Sequence, residues 1–409
     1  MFGWPKRTLP QVPEPQVPDR SGPVHTIAEN YNLTPEQHAA CVSWVCILQQ
    51  LYDGAGAYAE RRGLDGELVF AGNEWADVAR PTGIRLRTAY NDINYLRLHA
   101  AFAGYHLPLL DRLDKRRFLD DWGENFIRKT IEVAVPEDIV EILARRLPTR
   151  DRLLPLVPEY LDHIRNVPTR YIVRIPRMMG EMGMEIDGVL MNADVILSQS
   201  RINGMLCSGV LDKLDQDIAR RGRARVLEIG PGYGAMAYAL KAVFGDRLEY
   251  VGVDLPASLY YSLLYLGATA SWKGCHLLRP DDRMPERFDF AFVANYLLDE
   301  FADSLGPIDM AFNCMSFPEM SAAQVRYYGT FVRRVLREDG IFFDENAANL
   351  PHHVDSKAIL AEQFPFRKSV TSKIVTTKNW CQDVWADRYV GDIFDRRDAL
   401  FLRSPDPAS

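Results

Sequence analysis

The sequence predicts an α/β fold, in which a mostly parallel β-sheet with helices on both faces follows a mainly α-helical N-terminal domain. Two observations support this prediction. From residue 225 onward, short apolar segments typical of strands alternate with longer segments that carry apolar residues at helical spacing. Before that, residues 34–166 show mainly the helical spacing. Alternation of strand and helix is typical of parallel sheets, because parallel strands need a long crossover between them.

Changes in composition predict three parts, since 409 residues exceed one ordinary domain. Residues 1–24 are rich in proline, and we expect a disordered tail there, because few apolar residues can offset the ordering entropy. Residues 25–190 are expected to form the helical N-terminal domain. This domain would serve as a lid, as a dimer interface or as part of a ligand-binding site. Residues 191–409 are expected to form the α/β domain.

Helix signals mark the N-terminal domain. Thr34 precedes Pro35 and Glu36, which combines an N-cap, a proline at the first helical position and an acid in the first turn. The segments with helical apolar spacing are 34–52, 120–133, 136–147 and 192–214, the last of which connects into the α/β domain.

Within the α/β domain, we expect buried strands where short apolar runs are bounded by polar residues. The predicted strands are 226–229, 248–253, 290–294, 308–314 and one starting at 341–343, with 369–376 and 399–402 as candidates to close the sheet. The predicted helices are 235–244, one that contains 259–266, and 321–337.

The overall charge argues against a nucleic-acid-binding protein. The formal net charge is -7 and the pI is about 5.7, whereas affinity for nucleic acid depends on Lys and Arg that neutralise phosphates. The basic clusters are short, and we interpret them as solvated helix faces or loop ends. We therefore expect a small-molecule substrate and no nucleic-acid partner.

The cysteine pattern and the hydropathy favour a cytoplasmic protein. The six cysteines include no Cys-x-x-Cys pair, so we expect neither a zinc site nor a disulfide framework. No apolar run follows the first residues, which argues against a secretory signal. No apolar stretch approaches the roughly 20 residues that a membrane helix needs, so no membrane contact is expected.

A glycine-rich turn after the first strand of the α/β domain predicts a ligand site. Gly230, Gly232 and Gly234 lie between this strand and a helix, and glycines let a ligand approach the backbone where a Cβ would collide. The next strand ends in Asp254, about 20 residues beyond the last glycine. A carboxylate there can accept hydrogen bonds from both hydroxyls of a ribose. The pattern therefore predicts a cofactor that contains a ribose.

Three interpretations of the turn compete. A nicotinamide or flavin dinucleotide also needs glycines and an acidic ribose partner, but its usual motif is Gly-x-Gly-x-x-Gly, whereas the spacing here is Gly-x-Gly-x-Gly. S-adenosylmethionine (SAM) agrees better, because Glu228 precedes the first glycine and an acid there commonly lies near the amino-acid end of SAM in methyltransferases. The third interpretation is a structural turn without a ligand. We favour SAM.

The SAM interpretation assigns roles to individual residues. Glu228 would stabilise the cationic amino group, and Asp254 would bind the ribose diol. Asn295 is a candidate adenine contact, with a helix cap or turn as the alternative. Arg201 is a candidate partner of the cofactor carboxylate, with a surface salt bridge as the alternative. The full predicted cofactor-binding set is Glu228, Gly230, Gly232, Tyr233, Gly234, Asp254, Leu255, Asn295, Ser316 and Arg201.

Further motifs make the sequence similar to a known family. They are Gly180-Glu-Met-Gly183, Met191-Asn-Ala-Asp194, Gln199-Ser-Arg-Ile202, Asp254-Leu-Pro256, Asn313-Cys-Met-Ser-Phe-Pro-Glu-Met320 and Phe343-Asp-Glu-Asn346. With the glycine turn, they make residues 176–346 resemble the sugar O-methyltransferases of natural-product and polysaccharide gene clusters. The resemblance implies a Rossmann-like class I SAM methyltransferase domain that methylates a sugar hydroxyl, on a nucleotide-linked sugar or a glycosylated natural product.

Methyl transfer to a hydroxyl requires alignment of oxygen, methyl and sulfur and removal of the hydroxyl proton. The segment after the fourth strand points toward the transferable methyl in this fold, so Glu319 is our first candidate base; the alternative is an acid at a helix start. His352 and His353 follow the next strand and are further candidates, because the ordinary pKa of histidine is near neutral. Their alternative is a solvated loop. The candidate substrate-binding residues are Glu181, Met320 and Asn346.

No metal is predicted in the mechanism. Asp344, Glu345 and the two histidines are the residues that could supply ligands for Mg²⁺. However, Mg²⁺ binds through few carboxylates and several waters, so sequence spacing does not establish such a site.

Two other functions stay open on the sequence. The acceptor could be a carboxylate or hydroxyl of a peptide or polyketide held by the N-terminal domain. The chain could also be an inactive methyltransferase-like scaffold, although the glycine turn and Asp254 argue against this. The expected partner is a small-molecule glycoside or sugar-nucleotide acceptor, and the N-terminal domain is the candidate interface of a homodimer.

Overall fold

A computed structural model describes part of the chain, namely residues 21–25, 30–70, 86, 88–94, 96–97, 150–347, 354–370 and 380–396. The helices predicted over 120–133 and 136–147 lie outside these residues. So do the strand candidate 399–402, most of the candidate 369–376, and residues 1–20 of the predicted tail.

Two β-sheets organise the described residues. The strands are β1 (Ser21–His25), β2 (Gly183–Ile186), β3 (Val189–Met191), β4 (Ala224–Ile229), β5 (Leu248–Asp254), β6 (Cys275–Leu278), β7 (Phe290–Ala294), β8 (Ile308–Cys314), β9 (Leu336–Ala347), β10 (Phe366–Val370) and β11 (Trp380–Ala386). The first three form a small antiparallel sheet, and the others form an eight-stranded sheet in the order β10-β11-β9-β8-β4-β5-β7-β6.

The eight-stranded sheet is mostly parallel, and its strand order reverses beside β4. β4 pairs in parallel with β5 on one side and with β8 on the other, while β11 pairs antiparallel with β9 and β10. Where connections leave two neighbouring strands in opposite directions, a crevice opens at the carboxyl ends of the strands, and α/β sheets bind ligands there. The predicted α/β, Rossmann-like fold is confirmed, with its crevice between β4 and β8.

Helices cover the sheet, so that β7 and β8 are buried along their whole length. Within the described residues, no helix combines the length and the apolar character needed to cross a bilayer. The helices are α1 (Pro35–Arg62), α2 (Gly66–Val69), α3 (Tyr90–Asn94), α4 (Arg150–Leu153), α5 (Val157–Ile164), α6 (Ala193–Cys207), α7 (Val210–Arg221), α8 (Ala235–Phe244), α9 (Pro256–Thr269), α10 (Leu298–Phe301), α11 (Ala322–Val335), α12 (Ser356–Gln363) and α13 (Gly391–Phe394).

The single helix predicted over 192–214 is wrong, because two helices occupy this segment. α6 ends near Ser208, and α7 begins after Gly209, whose φ of 86° lies in the left-handed region. A residue without a Cβ adopts this conformation at low cost, so the chain changes direction here. The break separates α6, which carries Arg201, from α7, which leads into β4.

The start of the described chain corrects the predicted tail. Residues 21–24, assigned to the disordered tail, belong to β1, which pairs antiparallel with β2. Backbone hydrogen bonds to β2 therefore order a segment whose composition predicts no structure. In addition, β3 spans the boundary predicted at 190/191.

The long helix α1 packs against α9, which in turn contacts β5 and β7 of the sheet. Its N-cap at Thr34 is confirmed, with a capping box that includes Gln37. Gln37 also donates from Nε2 to the carbonyl oxygen of Ala268 at 2.8 Å. Along the contact with α9, the Trp44 ring lies against Gly267, where a Cβ would collide with the ring. The two helices approach closely because position 267 has no side chain.

We expect Gly267→Ala to lower the free energy of unfolding by about 1–3 kcal/mol, because the new methyl group displaces the Trp44 ring. Gly54→Ala is the matched control: Gly54 lies within α1, and a Cβ there would meet no atom within 4 Å. Helix propensity predicts that this variant is as stable as wild type or slightly more stable. Urea denaturation measures both, and equal stability of the two variants would contradict the α1–α9 packing.

Candidate functional site

A cavity of about 420 Å³ lies at the carboxyl ends of the central strands. The glycine turn after β4 forms one wall, and Asp254 and Leu255 at the end of β5 form another. Residues after β8 close the third side, including Ser316, Glu319 and Met320. The structure therefore brings these predicted residues to one place, in the crevice where the strand order reverses.

The glycine turn has the backbone that its sequence predicts. Gly230, Gly232 and Gly234 have φ values of 72°, 57° and 93°, which glycine adopts without the steric cost of a Cβ. A Cβ on Gly230 would collide with Oγ of Ser316, and one on Gly234 would lie 2.8 Å from Leu266. Gly230 and Gly234 therefore let the turn pack closely against Ser316 and Leu266, while the turn backbone also lines the cavity.

Glu228 is a buried carboxyl group in the cavity wall. Its exposed fraction is 3%, and Tyr250 donates its hydroxyl hydrogen to Oε2 at 2.5 Å. Burial raises the pKa of Glu228 to about 8, while the Tyr250 hydrogen bond and the charge of Arg201 act in the opposite direction. A cationic group that entered the cavity would stabilise the ionised form of this carboxyl.

Asp254 lies across the cavity from the glycine turn. Its Oδ1 accepts a hydrogen bond from the backbone N–H of Leu255 at 2.8 Å. Burial raises its pKa to about 7, and the charge of Glu319 adds to this increase, whereas the hydrogen bonds from Leu255 and Ser258 lower it. Hydroxyl donors from a ligand would favour the carboxylate further.

Arg201 reaches the cavity from α6. Its Nε donates to Oε1 of Glu345 at 2.8 Å, and its side chain is one-tenth exposed. Arg201 lines the cavity. Since Glu345 holds the Nε edge of the guanidinium, the terminal nitrogens are the donors that an anionic ligand would contact.

The turn after β8 is fixed against the end of β4. Nδ2 of Asn313 donates to the Ile229 carbonyl at 2.7 Å and to Oγ of Ser316 at 2.5 Å. Met315, which also lines the cavity, has a φ of 67°, a strained value for a residue with a side chain. Its N–H donates to the carbonyl of Glu345 at 2.8 Å, which holds this backbone in place.

Four predicted site residues that the structure describes lie outside the cavity-lining set. Gly234 is the N-cap residue of α8. Asn295 donates from Nδ2 to the carbonyl oxygens of Leu68 and Val69, at 2.9 and 3.2 Å, and so binds the C-terminal end of α2. Asn346 donates to Oδ1 of Asn313 at 2.9 Å. Glu181, with an exposed fraction of 1%, is bonded to Arg97.

Of the three candidate bases, only Glu319 lies among the described residues. Glu319 lines the cavity from the short helix Phe317–Glu319, whereas His352 and His353 lie outside the described residues. Among the described residues, no group of three or more His, Cys, Asp or Glu side chains is arranged to hold a metal ion.

Sequence reasoning missed three residues that shape the site. Tyr250 holds Glu228, and Gln324 and Tyr328 line the cavity from α11. In the sequence, Tyr250 looks like an ordinary core residue of β5. Gln324 looks like the third residue of a helix, and in the structure it does form a capping box with Ser321. Its Nε2 also donates to the Phe70 carbonyl at 3.0 Å, beyond the end of α2.

Comparison with solved structures finds methyltransferases of low similarity. Fibrillarin of Aeropyrum pernix, with natively bound SAM, is 14% identical at a TM-score of 0.29, and the match covers 40% of this chain and 66% of fibrillarin. The arsenic(III) SAM methyltransferase CrArsM of Chlamydomonas reinhardtii is 18% identical at a TM-score of 0.28, covering 40% of this chain and 62% of CrArsM. Cofactor-bound Rv0187 from MTB is 13% identical at a TM-score of 0.33, covering 59% of this chain and 99% of Rv0187.

This chain therefore spans less than two thirds of the fibrillarin and CrArsM chains. No protein-family model and no curated protein matches the sequence. Similarity at this level assigns neither an activity nor a cofactor to this chain, so its function has to be inferred from the residues of the cavity.

We expect Glu228→Gln to stabilise the ligand-free protein at pH 8 and to have a much smaller effect at pH 5. Because burial raises the folded-state pKa of Glu228 to about 8, the folded protein keeps a proton that the unfolded chain releases above its ordinary pKa. Stability is thus lost as pH rises toward 8, by ~1.4 kcal/mol per unit of pKa difference. Glutamine does not titrate and avoids this loss.

Differential scanning calorimetry at the two pH values measures this effect. Glu249→Gln is the control. Glu249 is equally buried in β5, but it lies near the amino end of the strand, away from the cavity, where it is paired with Arg223 and Arg225. It should lower Tm at both pH values. A shift from Glu228→Gln that is the same at pH 5 and pH 8 would contradict the raised pKa.

Proposed function

We propose that the protein is a SAM-dependent methyltransferase. One observation carries the proposal: the glycine turn, the buried acid Glu228 and the strand-end acid Asp254 line one cavity with Arg201. A zwitterionic amino-acid group, a ribose and a base are the parts of SAM. The cavity offers carboxylates for the ammonium group and the diol, and a guanidinium edge for the carboxylate.

The residues agree with the cofactor in shape as well as in charge. Gly230 has no Cβ, so Ser316 packs directly against the turn, and both residues line the cavity. Glu228 would bind the ammonium group, Arg201 the carboxylate and Asp254 the ribose hydroxyls. A cavity of about 420 Å³ falls in the range of sites for small ligands and cofactors, and cofactor sites place a few polar groups on mainly apolar walls.

When bound, SAM supplies an electrophilic methyl group on a sulfonium. Transfer would form a bond between the acceptor oxygen and the methyl carbon as the carbon–sulfur bond breaks, and the electron pair of the broken bond would stay on sulfur. In our proposal, Glu319 takes the hydroxyl proton, because it follows β8 at the cavity wall. Apolar side chains such as Met315 and Met320 exclude water from the reacting groups.

For the acceptor, we propose a hydroxyl of a sugar or of a glycosylated natural product. The sequence resemblance over residues 176–346 supports this class. A half-buried carboxylate, Glu319, at the cavity wall suits a hydroxyl donor as well as a base. Transfer that occurs only to a peptide or polyketide in an acceptor screen would replace this acceptor while keeping the reaction type.

We expect S-adenosylhomocysteine to bind with micromolar affinity, and Asp254→Ala to weaken binding about tenfold or more, roughly 1.4 kcal/mol. The variant removes the acceptor of the ribose hydroxyls. Isothermal titration calorimetry measures both. Asp246→Ala, which removes an exposed carboxylate beyond the opposite end of β5, should bind like wild type.

The same titrations provide a second measurement. The pKa values of Glu228 and Asp254 are raised to about 8 and about 7, and engagement by the ligand favours the ionised forms. Binding at pH 7 should therefore release protons, so that the observed enthalpy depends on the ionisation enthalpy of the buffer. Lack of binding by folded wild type would favour the scaffold interpretation.

We expect Glu319→Gln to reduce kcat by roughly 10²–10⁴-fold, because a general base contributes about this factor. The affinity for S-adenosylhomocysteine should change little, since the carboxylate acts on the acceptor. Turnover with saturating deoxysugar glycoside and saturating SAM measures kcat. Glu362→Gln, at an exposed position of α12, is the control. Wild-type kcat in Glu319→Gln would remove Glu319 from the mechanism.

A further inference from the structure

Arg97 is a buried cation that no feature of the sequence singles out. It lies in the N-terminal domain shortly after α3, and its exposed fraction is 2%. Its backbone N–H donates to the carbonyl of Met179 at 2.7 Å. Arg97 thus joins a segment of the N-terminal domain to the loop that precedes β2.

Two carboxylates fix the plane of the Arg97 guanidinium. Nη2 donates to Oδ2 of Asp194 at 2.6 Å, and Nε donates to Oε1 of Glu181. Glu181 also accepts from Nδ2 of Asn192 at 3.3 Å. A planar guanidinium held at two edges has little rotational freedom, which lysine at this position would not reproduce.

The face of this fixed guanidinium covers the aromatic ring of the cofactor turn. Its central carbon lies 3.4 Å from the ring centroid of Tyr233, within the range of a cation–π contact. Tyr265 of α9 makes a perpendicular contact with the same ring, with centroids 5.2 Å apart. The Tyr233 side chain is therefore held by two residues from outside the turn.

Tyr233 lies in the second half of the turn, between two glycines of positive φ. Gly232 and Gly234 give the backbone many accessible conformations, and ordering them costs free energy when a ligand binds. A ring that is fixed in advance removes part of this cost, because it sets the backbone at the middle of the turn. Tyr233 also lines the cavity, so its position changes the ligand-binding surface directly.

The surroundings of Arg97 are poorly optimised for stability alone. Its Nη1 is buried without a hydrogen-bond partner in the described part of the chain, and an unsatisfied buried donor costs about 1–3 kcal/mol. Met179, whose carbonyl accepts from Arg97, has a φ of 58°. Local features of this kind occur where a structure serves a binding site.

We propose that Arg97 is a positioning residue of the cofactor site, which orders the glycine turn by holding the ring of Tyr233. The N-terminal domain is thereby part of the cofactor site. The inference rests on the proposed function, because its first test measures the binding of S-adenosylhomocysteine. It reassigns Glu181, the candidate acceptor contact, to the support of Arg97.

A double-mutant cycle tests the proposal. Arg97→Met and Tyr233→Leu should each raise the Kd of S-adenosylhomocysteine about tenfold. The double variant should bind no more weakly than Tyr233→Leu, because the Arg97 contact is already lost when the Tyr233 ring is removed. Arg97→Lys, which keeps the charge but not the plane, should also be weakened, whereas Arg221→Met, far from the cavity, should bind like wild type. Losses that multiply in the double variant would overturn the proposal.

Amide hydrogen exchange of residues 230–236 without any cofactor gives an independent measurement. Arg97→Met should speed exchange there. Arg221→Met should not, because Arg221 is bonded to Asp217 and Asp309 near the amino ends of the strands, away from the glycine turn. If Arg97→Met does not fold, Arg97→Lys and Tyr233→Leu decide both measurements.

The outcomes separate the two proposals. Wild type that binds no S-adenosylhomocysteine overturns the proposed function, and the exchange measurement then still decides whether Arg97 orders the turn. Wild type that binds, with unchanged affinity and unchanged exchange in the folded Arg97 variants, overturns the role of Arg97 alone.

Discussion

The parallel pairing of β4 with β5 and β8 is the constraint on which the candidate site depends. In this register Ile229 lies between Val253 and Asn313, so the three strands end at the same level. The glycine turn, Asp254 and the turn after β8, which contains Ser316, therefore line one cavity. A shift of either partner by one residue would reverse its side chains relative to the sheet and separate the groups that would contact the ligand.

The same sheet sets the electrostatics of the cavity. The central strands are buried on both faces, so carboxyls at their ends are partly removed from water and their pKa values rise, as for Glu228 and Asp254. Stability alone would not favour acids at these positions, because their ionisation lowers the stability of the fold. Under the proposed function, a ligand would stabilise their charge, which is the usual balance between stability and function at binding sites.

Local signals allowed much of the fold and the cavity to be predicted. The glycine turn and Asp254 each follow a strand directly, so their neighbours in the sequence reveal their position. Two strands of the eight-stranded sheet, β6 and β11, were not predicted. β6 has only four residues, too few for a periodic pattern. β11 carries two buried polar residues, Gln382 and Asp383, which bond to Glu345 and Arg367, so its sequence does not look like an apolar strand. Arg97 was missed because its partners Asp194 and Tyr233 are distant in the chain, and such pairing leaves no local signal.

The packing of α1 on α9 has a consequence for synthesis on the ribosome. The apolar face of α1, with buried residues such as Val45 and Leu48, is covered by a helix that begins at Pro256. At ~5–20 residues per second, the ribosome needs roughly ten seconds or more to reach that helix. During this interval the apolar residues of α1 lack the helix that covers them. Because transiently exposed apolar surface favours aggregation, a fragment released by an early stop in translation would be prone to aggregate.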